Sequence, residues 1–342
     1  MSPINSDLTP EIMRQVIAAA ALRAPLWQDN PQGAFRLFAG FYEGFPSLVI
    51  DAYADTLLLF DYSERGDISL ASLEHLAATI CEQIRPFQTA FVKRRNHPDQ
   101  ALRRGKPLFG ESHTTTIEEH SIRYRVDVTM NQDAGFYLDT RLLRTWLKAN
   151  CAPKRVLNTF AYTGSLGIVA IAGGAARVVQ TDRNRAFLNA AKTSYSLNGF
   201  PINKADFITG DFFRVISELK SQALFDCVIL DPPIFSQTSG GIVNTLDEYH
   251  RLVNKIRPLV AHEGHLVLIN NAVFLSGSDF MITIQDMCAD GYLTLKTTIP
   301  IPEDITGYAQ TIQTAPPVDP APFNHSTKIA ILTVERKDQR TV

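Results

Sequence analysis

Arg155-Val156-Leu157-Asn158-Thr159-Phe160-Ala161-Tyr162-Thr163-Gly164-Ser165 decides the fold. A short apolar run enters a turn that carries Gly164 and leads into an apolar helix over 165–171, the strand–turn–helix unit of an α/β sheet. The rhythm repeats downstream. Val178-Val179 ends at Thr181-Asp182 before a helix over 184–197, and Phe207-Ile208 ends at Gly210-Asp211 before a helix reaching Leu219. Cys227-Val228-Ile229-Leu230 then ends at Asp231, and Leu266-Val267-Leu268-Ile269 ends at Asn270. Unbroken apolar strands separated by helices predict a parallel, doubly wound sheet covered on both faces. Lys328–Val334, after a loop with Pro316, Pro317, Pro320 and Pro322, is expected to add an antiparallel edge strand.

Upstream the pattern differs. Residues 8–23 predict a helix started by Thr9-Pro10-Glu11, with proline in the first turn. Apolar runs at 36–38, 47–50 and 56–60, broken by Gly40, Gly44-Phe45-Pro46 and 51–55, predict a small antiparallel sheet. A helix over 68–84, a strand at 89–93 and a hairpin over 117–128 complete this part. The expected division is an N-terminal helical segment (1–30), a small α+β domain (31–127) and an α/β domain (128–342), which suits 342 residues.

Lys and Arg number 33 against 35 Asp and Glu, a net charge of −2. Nucleic-acid binding must therefore rest on a local patch. The segment 93–106 supplies one, with Lys93, Arg94, Arg95, Arg103, Arg104 and Lys106 against one Asp; it reads either as a phosphate-binding surface or as a solvated loop. Cys81, Cys151, Cys227 and Cys288 form no CxxC pair, which argues against a disulfide scaffold or cysteine zinc site and for a reducing cytoplasm. No apolar run approaches membrane-spanning length, and no cluster has metal-ligand spacing, so no metal is expected.

Ligands of open α/β sheets sit outside the carboxyl ends of the strands, and three successive strands here end in an acid: Asp182, Asp211 and Asp231. Any one of them is ordinarily the cap of the next helix; three in a row point to a ligand. Asp182 follows Asn158 by 24 residues, close to the spacing of a carboxylate that accepts both ribose hydroxyls. The turn chooses between nucleotides. A pyrophosphate needs close backbone approach to a glycine-rich loop, whereas this turn has only Gly164 and Gly167 and is crowded by Phe160 and Tyr162. That disfavours a nicotinamide coenzyme and an oxidoreductase. S-adenosylmethionine carries no phosphate, only a sulfonium, an ammonium, a carboxylate and an adenosine, and acidic strand ends suit it. Asp211 is placed to accept from the adenine amino group. Asp231-Pro232-Pro233-Ile234-Phe235-Ser236 forms a stiff turn whose carbonyls can face a substrate base, with Phe235 as a stacking surface.

These residues resemble the class I S-adenosylmethionine-dependent methyltransferases, more narrowly the bacterial 23S ribosomal RNA methyltransferases that make 5-methylcytosine and the related N7-guanine methyltransferase module. The resemblance is carried by Gln132–Arg141, Val156–Ser165, Val179–Asp182 and Asp231–Ser236, and by Ala34–Phe38, Gly44–Pro46 and Leu48–Asp55 in the small domain. It implies a doubly wound, seven-stranded Rossmann-like methyltransferase sheet with a smaller α+β N-terminal domain. It also implies a cofactor surrounded by Phe136, Asp139, Asn158, Phe160, Tyr162, Thr163, Gly164, Ser165, Asp182, Arg183, Asp211, Phe212 and Asp231. Two departures stand out. The first 30 residues are too few for the PUA RNA-binding domain of many relatives, and Ile269-Asn270-Asn271-Ala272-Val273-Phe274 stands where the 5-methylcytosine enzymes need a cysteine.

The missing cysteine bears on the chemistry. Carbon 5 of cytosine becomes nucleophilic only after a thiolate adds to carbon 6, and Cys227, about 13 Å back along its strand at about 3.3 Å per residue, reads as core. Cys151 and Cys288 fall in or near helices. Guanine N7 has a free lone pair, so placement in line with the methyl group suffices. Asn270-Asn271 resembles the paired asparagines of the N7-guanine module and can bind a base edge, or simply cap a helix. Asp139 likewise reads as a cofactor contact or as the cap of a helix over 142–149. The expectation is a cytoplasmic methyltransferase of an RNA nucleobase, with N-methylation of guanine favoured and Asp231, Pro232, Pro233, Phe235 and Asn270 at the reacting base. The alternatives are 5-methylcytosine formation, methylation of a protein or small molecule, or an RNA-binding protein that keeps the fold without catalysis. A homodimer is compatible with this reading.

Overall fold

The computed structural model describes residues 8–64, 67–221, 224–233, 235–238, 241–244 and 249–337, and for 235–238 and 241–244 the backbone only. The chain forms two compact units, 1–138 with 302–315, and 139–301 with 316–342.

In the first unit, Thr9 caps α1 (Pro10–Leu22) by accepting from the Ile12 amide, with Pro10 where no amide partner is needed. The short α2 (Ala24–Asp29) follows. A five-stranded sheet has the order β1 (Ala34–Phe38), β2 (Leu48–Tyr53), β3 (Thr56–Asp61), β4 (Thr89–Arg94), β5 (Lys106–Phe109). β1, β2 and β3 pair antiparallel, as expected, and β4 joins β3 in parallel. A parallel neighbour needs a crossover, which α3 (Leu70–Gln83) supplies. Leu73, Leu76, Ala77 and Ile80, at helical spacing, join the sheet residues in one buried core. The short helix α4 (Gln100–Arg104) leads into β5, and β6 (Thr116–Glu119) and β7 (Ile122–Arg125) form the predicted hairpin. A buried ion pair ties the unit's two chain segments: Arg23 donates to Glu43 at 3.0 Å and to the Asp304 carbonyl at 2.9 Å, and its guanidinium lies 5.0 Å from the Tyr308 ring.

The second unit holds the predicted doubly wound sheet. Its strands are β8 (Arg155–Thr159), β9 (Arg177–Asp182), β10 (Phe207–Thr209), β11 (Phe225–Leu230), β14 (Val260–Asn270), β15 (Leu293–Ile299) and β16 (Lys328–Val334). The two between, β12 (Phe235–Thr238) and β13 (Gly241–Asn244), form a separate hairpin. The order is β10-β9-β8-β11-β14-β16-β15, parallel from β10 through β14. β16 is antiparallel, as expected, but it is not the edge: β15 lies outside it. The polar residues of Leu293-Thr294-Leu295-Lys296-Thr297-Thr298-Ile299 hide that strand, as befits an edge. The helices are α5 (Arg141–Asn150), α6 (Ser165–Ala172), α7 (Arg185–Leu197), α8 (Phe212–Leu219), α9 (Tyr249–Ile256) and α10 (Gly277–Cys288). The chain winds outward to β9 and β10 on one side of β8 and to β11 and β14 on the other. The carboxyl ends of β8 and β11 therefore flank the switch point, where such sheets bind ligands.

Candidate functional site

The β8–α6 turn is held in an unusual backbone. Phe160 and Tyr162 have φ of 53° and 51°, and Gly164 has 81°; left-handed aromatic residues persist only where their surroundings enforce it. Gly164 is required, since a Cβ there would lie 2.6 Å from both Ala191 Cβ and Gln180 Oε1. Three of the turn's amides are already used: Ala161 donates to the Thr181 carbonyl, Tyr162 to Asp182 Oδ2 at 2.9 Å, and Gly164 to the Ala161 carbonyl. Such a turn makes a poor phosphate cradle and a good clamp for a carboxylate.

That carboxylate is Asp182, whose Oδ1 also accepts from the Asn184 amide at 2.7 Å. Partial burial pushes its pKa up despite those bonds. Asp211 is the N-cap of α8, accepting from the Phe213 and Arg214 amides. Arg183 is exposed, and Ser165 and Tyr162 are half-buried. Phe160 stacks on Phe212 at 4.9 Å with the rings 18° apart; Phe212 is buried and braces Phe160 from behind.

Three of the expected contacts are engaged within the protein. Asn158 is only 1 % exposed, and its amide donates to Gln180 Oε1, which braces Gly164. Thr163 is buried too. Phe136 belongs to the first unit, where its ring packs against Tyr124 and its carbonyl accepts from Tyr53.

Past the switch point the electrostatics change. Asp231 has no hydrogen-bond donor or cation on its carboxyl among the described residues; burial and the neighbouring Asp139 raise its pKa to about 7. Asp139 does not cap α5, whose N-cap is Thr140. Instead its Oδ2 accepts from Thr327 Oγ1 at 2.8 Å. Pro232 is buried and Pro233 exposed. Ile234 and the Phe235 side chain lie outside the described residues.

β11 and β14 are in register with Leu230 opposite Leu268, so Asn270 ends its strand beside Asp231-Pro232. Asn270 Oδ1 accepts from the Ala272 amide at 3.0 Å. Lys328, opposite Asn270 on β16 and fully buried, donates to the Ala272 carbonyl at 3.0 Å and to the Ser326 carbonyl at 2.5 Å. Burial lowers its pKa to about 8. Tyr249 is buried behind Asp231 and donates to the Ile269 carbonyl at 2.9 Å; burial and the Asp231 charge push its hydroxyl pKa up. Sequence reasoning missed Tyr249, Thr327 and Lys328. The one available signal was a lysine opening the apolar strand Ile329-Ala330-Ile331-Leu332.

Cys151 and Cys227 are both buried, so neither offers a thiolate at the strand ends. Within 93–106, Lys93 is a correction: it is fully buried and its ammonium donates to the Asn131 and Asp133 carbonyls. Arg94 donates to the Ile68 carbonyl, Arg95 to the Gln132 carbonyl and Arg103 to the His97 carbonyl, which leaves Arg104 and Lys106 as the exposed cations, with Asp99 exposed beside them in sequence. Among the described residues no group of His, Cys, Asp and Glu could hold a metal, and no helix is long and apolar enough to cross a membrane.

A family profile described as S-adenosylmethionine-dependent methyltransferase matches residues 62–295, more than half of the chain. The ribosomal RNA large subunit methyltransferase I of Aeromonas salmonicida is 30% identical over 281 residues, 81% of this chain and 71% of its own. Its namesake from an Escherichia coli strain is 28% identical over 81% of this chain and 70% of its own. In three dimensions, a methyltransferase crystallised with SAH superposes with a TM-score of 0.81 at 20% identity, covering 98% of this chain and 83% of that one. A tRNA m1G37 methyltransferase of M. jannaschii reaches 0.56 at 15% identity, covering 94% and 79%. The site fits that cofactor: Asp182, at the carboxyl end of β9, carries no ion pair among the described residues, which leaves its carboxylate for the hydroxyls of a ribose. The chain belongs to the S-adenosylmethionine-dependent methyltransferases.

Proposed function

We propose that this enzyme methylates a nitrogen of a nucleobase in large-subunit ribosomal RNA, with guanine as the favoured base. The names of the curated relatives support the RNA class. The observation that carries the choice of atom is the acceptor side of the site. Asn270-Asn271 stands where a thiolate would be needed, Cys151 and Cys227 are buried, Cys288 is the last residue of α10 and Cys81 lies within α3 of the first unit. Without a nucleophile to add to carbon 6, carbon 5 of cytosine stays unreactive, whereas a ring nitrogen needs only alignment.

When bound, S-adenosylmethionine supplies an electrophilic methyl group on sulfur. Asp182 holds the ribose hydroxyls with the lone pairs its amide bonds leave free, and Asp211 faces the adenine while capping α8. Thr163, Gly164 and Ser165 form the floor of the turn. Asp231 accepts a hydrogen bond from the target base, the Pro232 and Pro233 carbonyls line its edge, Phe235 stacks on it and Asn270 binds its far edge. Arg104 and Lys106, with the partly covered Arg94, Arg95 and Arg103, give the small first unit a phosphate-binding surface for docking RNA. Ribosomal RNA as substrate places the enzyme in the cytoplasm.

Purified enzyme with methyl-labelled S-adenosylmethionine and protein-free large-subunit rRNA from a strain lacking the gene should label the RNA, and digestion should release a labelled N-methylguanosine. Label in 5-methylcytidine would overturn the choice of atom. Label only in protein, or none in RNA, would overturn the substrate class.

A further inference from the structure

Phe274 is 82% exposed, beside Val273 at 40%, and a bare aromatic ring forfeits much of the burial that phenylalanine ordinarily gains. It is not on a loose tip. On one side, the Ala272 amide is fixed by Asn270 Oδ1 and the Ala272 carbonyl accepts from both Lys328 Nζ and the Leu275 amide. On the other, Ser276 caps α10 and the Gly277 amide donates to the Asp319 carbonyl. Gly277 packs so closely on Pro320 that a Cβ would lie 1.8 Å from its carbonyl oxygen. The loop is thus pinned at both ends with the ring held out, and it begins at Asn270, level with Asp231-Pro232 across β11 and β14.

We propose that Phe274 stacks on a nucleobase of the RNA substrate beside the target base, an inference that rests on the RNA reading above. The surroundings favour a base over a protein surface. Protein docking faces are contiguous apolar patches of a few hundred Å², whereas this ring and its valine lie between exposed Asn271 and the polar Ser276, Ser278 and Asp279. A lone aromatic face among hydrogen-bonding groups is how single-stranded RNA is gripped: the π-face takes the base and the polar rim its edges.

The experiment compares wild type with Phe274→Ala, Phe274→Leu and Phe274→Trp in steady-state methyl transfer to the same deletion-strain rRNA, with S-adenosylmethionine affinity measured by calorimetry. All four should melt alike, because the ring is exposed. The KM for RNA should rise roughly tenfold or more for Ala and Leu, the range of one base stack, and stay within about twofold for Trp. Cofactor affinity should not move. An Ala variant indistinguishable from wild type overturns the proposal, as does a Leu variant as good as Trp, which would mark a merely greasy contact. A wild-type enzyme that labels no rRNA fails at the earlier step and removes the RNA reading together with this one.

Discussion

The carboxyl edge of the second sheet divides into two halves built on opposite principles. Around β8, β9 and β10 the acids are satisfied: Asp182 accepts from the Tyr162 and Asn184 amides, and Asp211 from Phe213 and Arg214. Around β11 and β14, Asp231 has no donor among the described residues, its pKa is raised to about 7, and a pinned loop holds Phe274 in solvent. The first half is finished before any ligand arrives and is suited to a cofactor of constant shape. The second is left incomplete in its hydrogen bonding and stacking, which its acceptor would supply; such unsatisfied groups cost stability where function needs them.

Removing Asp231 should do the most. Asp231→Asn should lower the rate of methyl transfer by about 100-fold, the scale of a misplaced reacting group, while leaving S-adenosylmethionine binding measurable by calorimetry. Its stability should move the other way. A carboxyl whose folded pKa is raised stabilises below its unfolded pKa of about 3.9 and loses that contribution as pH rises through about 7. Asp231→Asn should therefore melt with wild type at pH 4 and above it at pH 8. Equal melting at both pH values would show that the acid is not strained.

Asp182→Ala tests the finished half. It deletes the group that bonds the turn's Tyr162 amide and that would hold the ribose, so cofactor affinity should fall by about 1.5–3 kcal/mol, the worth of hydrogen bonds to a charged group. Lys328→Met probes the pinned loop. It leaves the buried Ala272 carbonyl and the half-buried Ser326 carbonyl without their ammonium donor and should cost about 1–3 kcal/mol in chemical denaturation. It should also reduce turnover more than cofactor affinity. The smallest effect separates a cap from a ligand. Asp211→Ser keeps an N-cap side chain, so stability should stay within about 0.5 kcal/mol, while titration should show cofactor binding several-fold weaker. Unchanged binding would reduce Asp211 to the cap of α8.

Most of the second sheet was legible because parallel strands buried on both faces must be apolar throughout, as Cys227–Leu230 and Leu266–Ile269 are. β15 escaped because an edge strand lacks that constraint, and Lys296 and its threonines look like loop. β4 beside β3 escaped because a parallel pairing depends on a crossover and not on a local signal. At the site, Asp182, Asp211 and Asp231 could be read off their strand ends. The burial of Asn158 and Lys93 could not, since both are polar residues that short-range patterns place on surfaces. Thr327 and Lys328 lie far along the chain from the residues they hold, and only the β14–β16 register brings Lys328 opposite Asn270.

Mass spectrometry of nucleosides from large-subunit rRNA, in a strain lacking this gene and in the same strain carrying wild type or Asp231→Asn, tests the central claim most directly. One N-methylguanosine should vanish in the deletion, return with wild type and stay absent with the variant. An unaltered nucleoside profile, or the loss of 5-methylcytidine alone, would contradict the account.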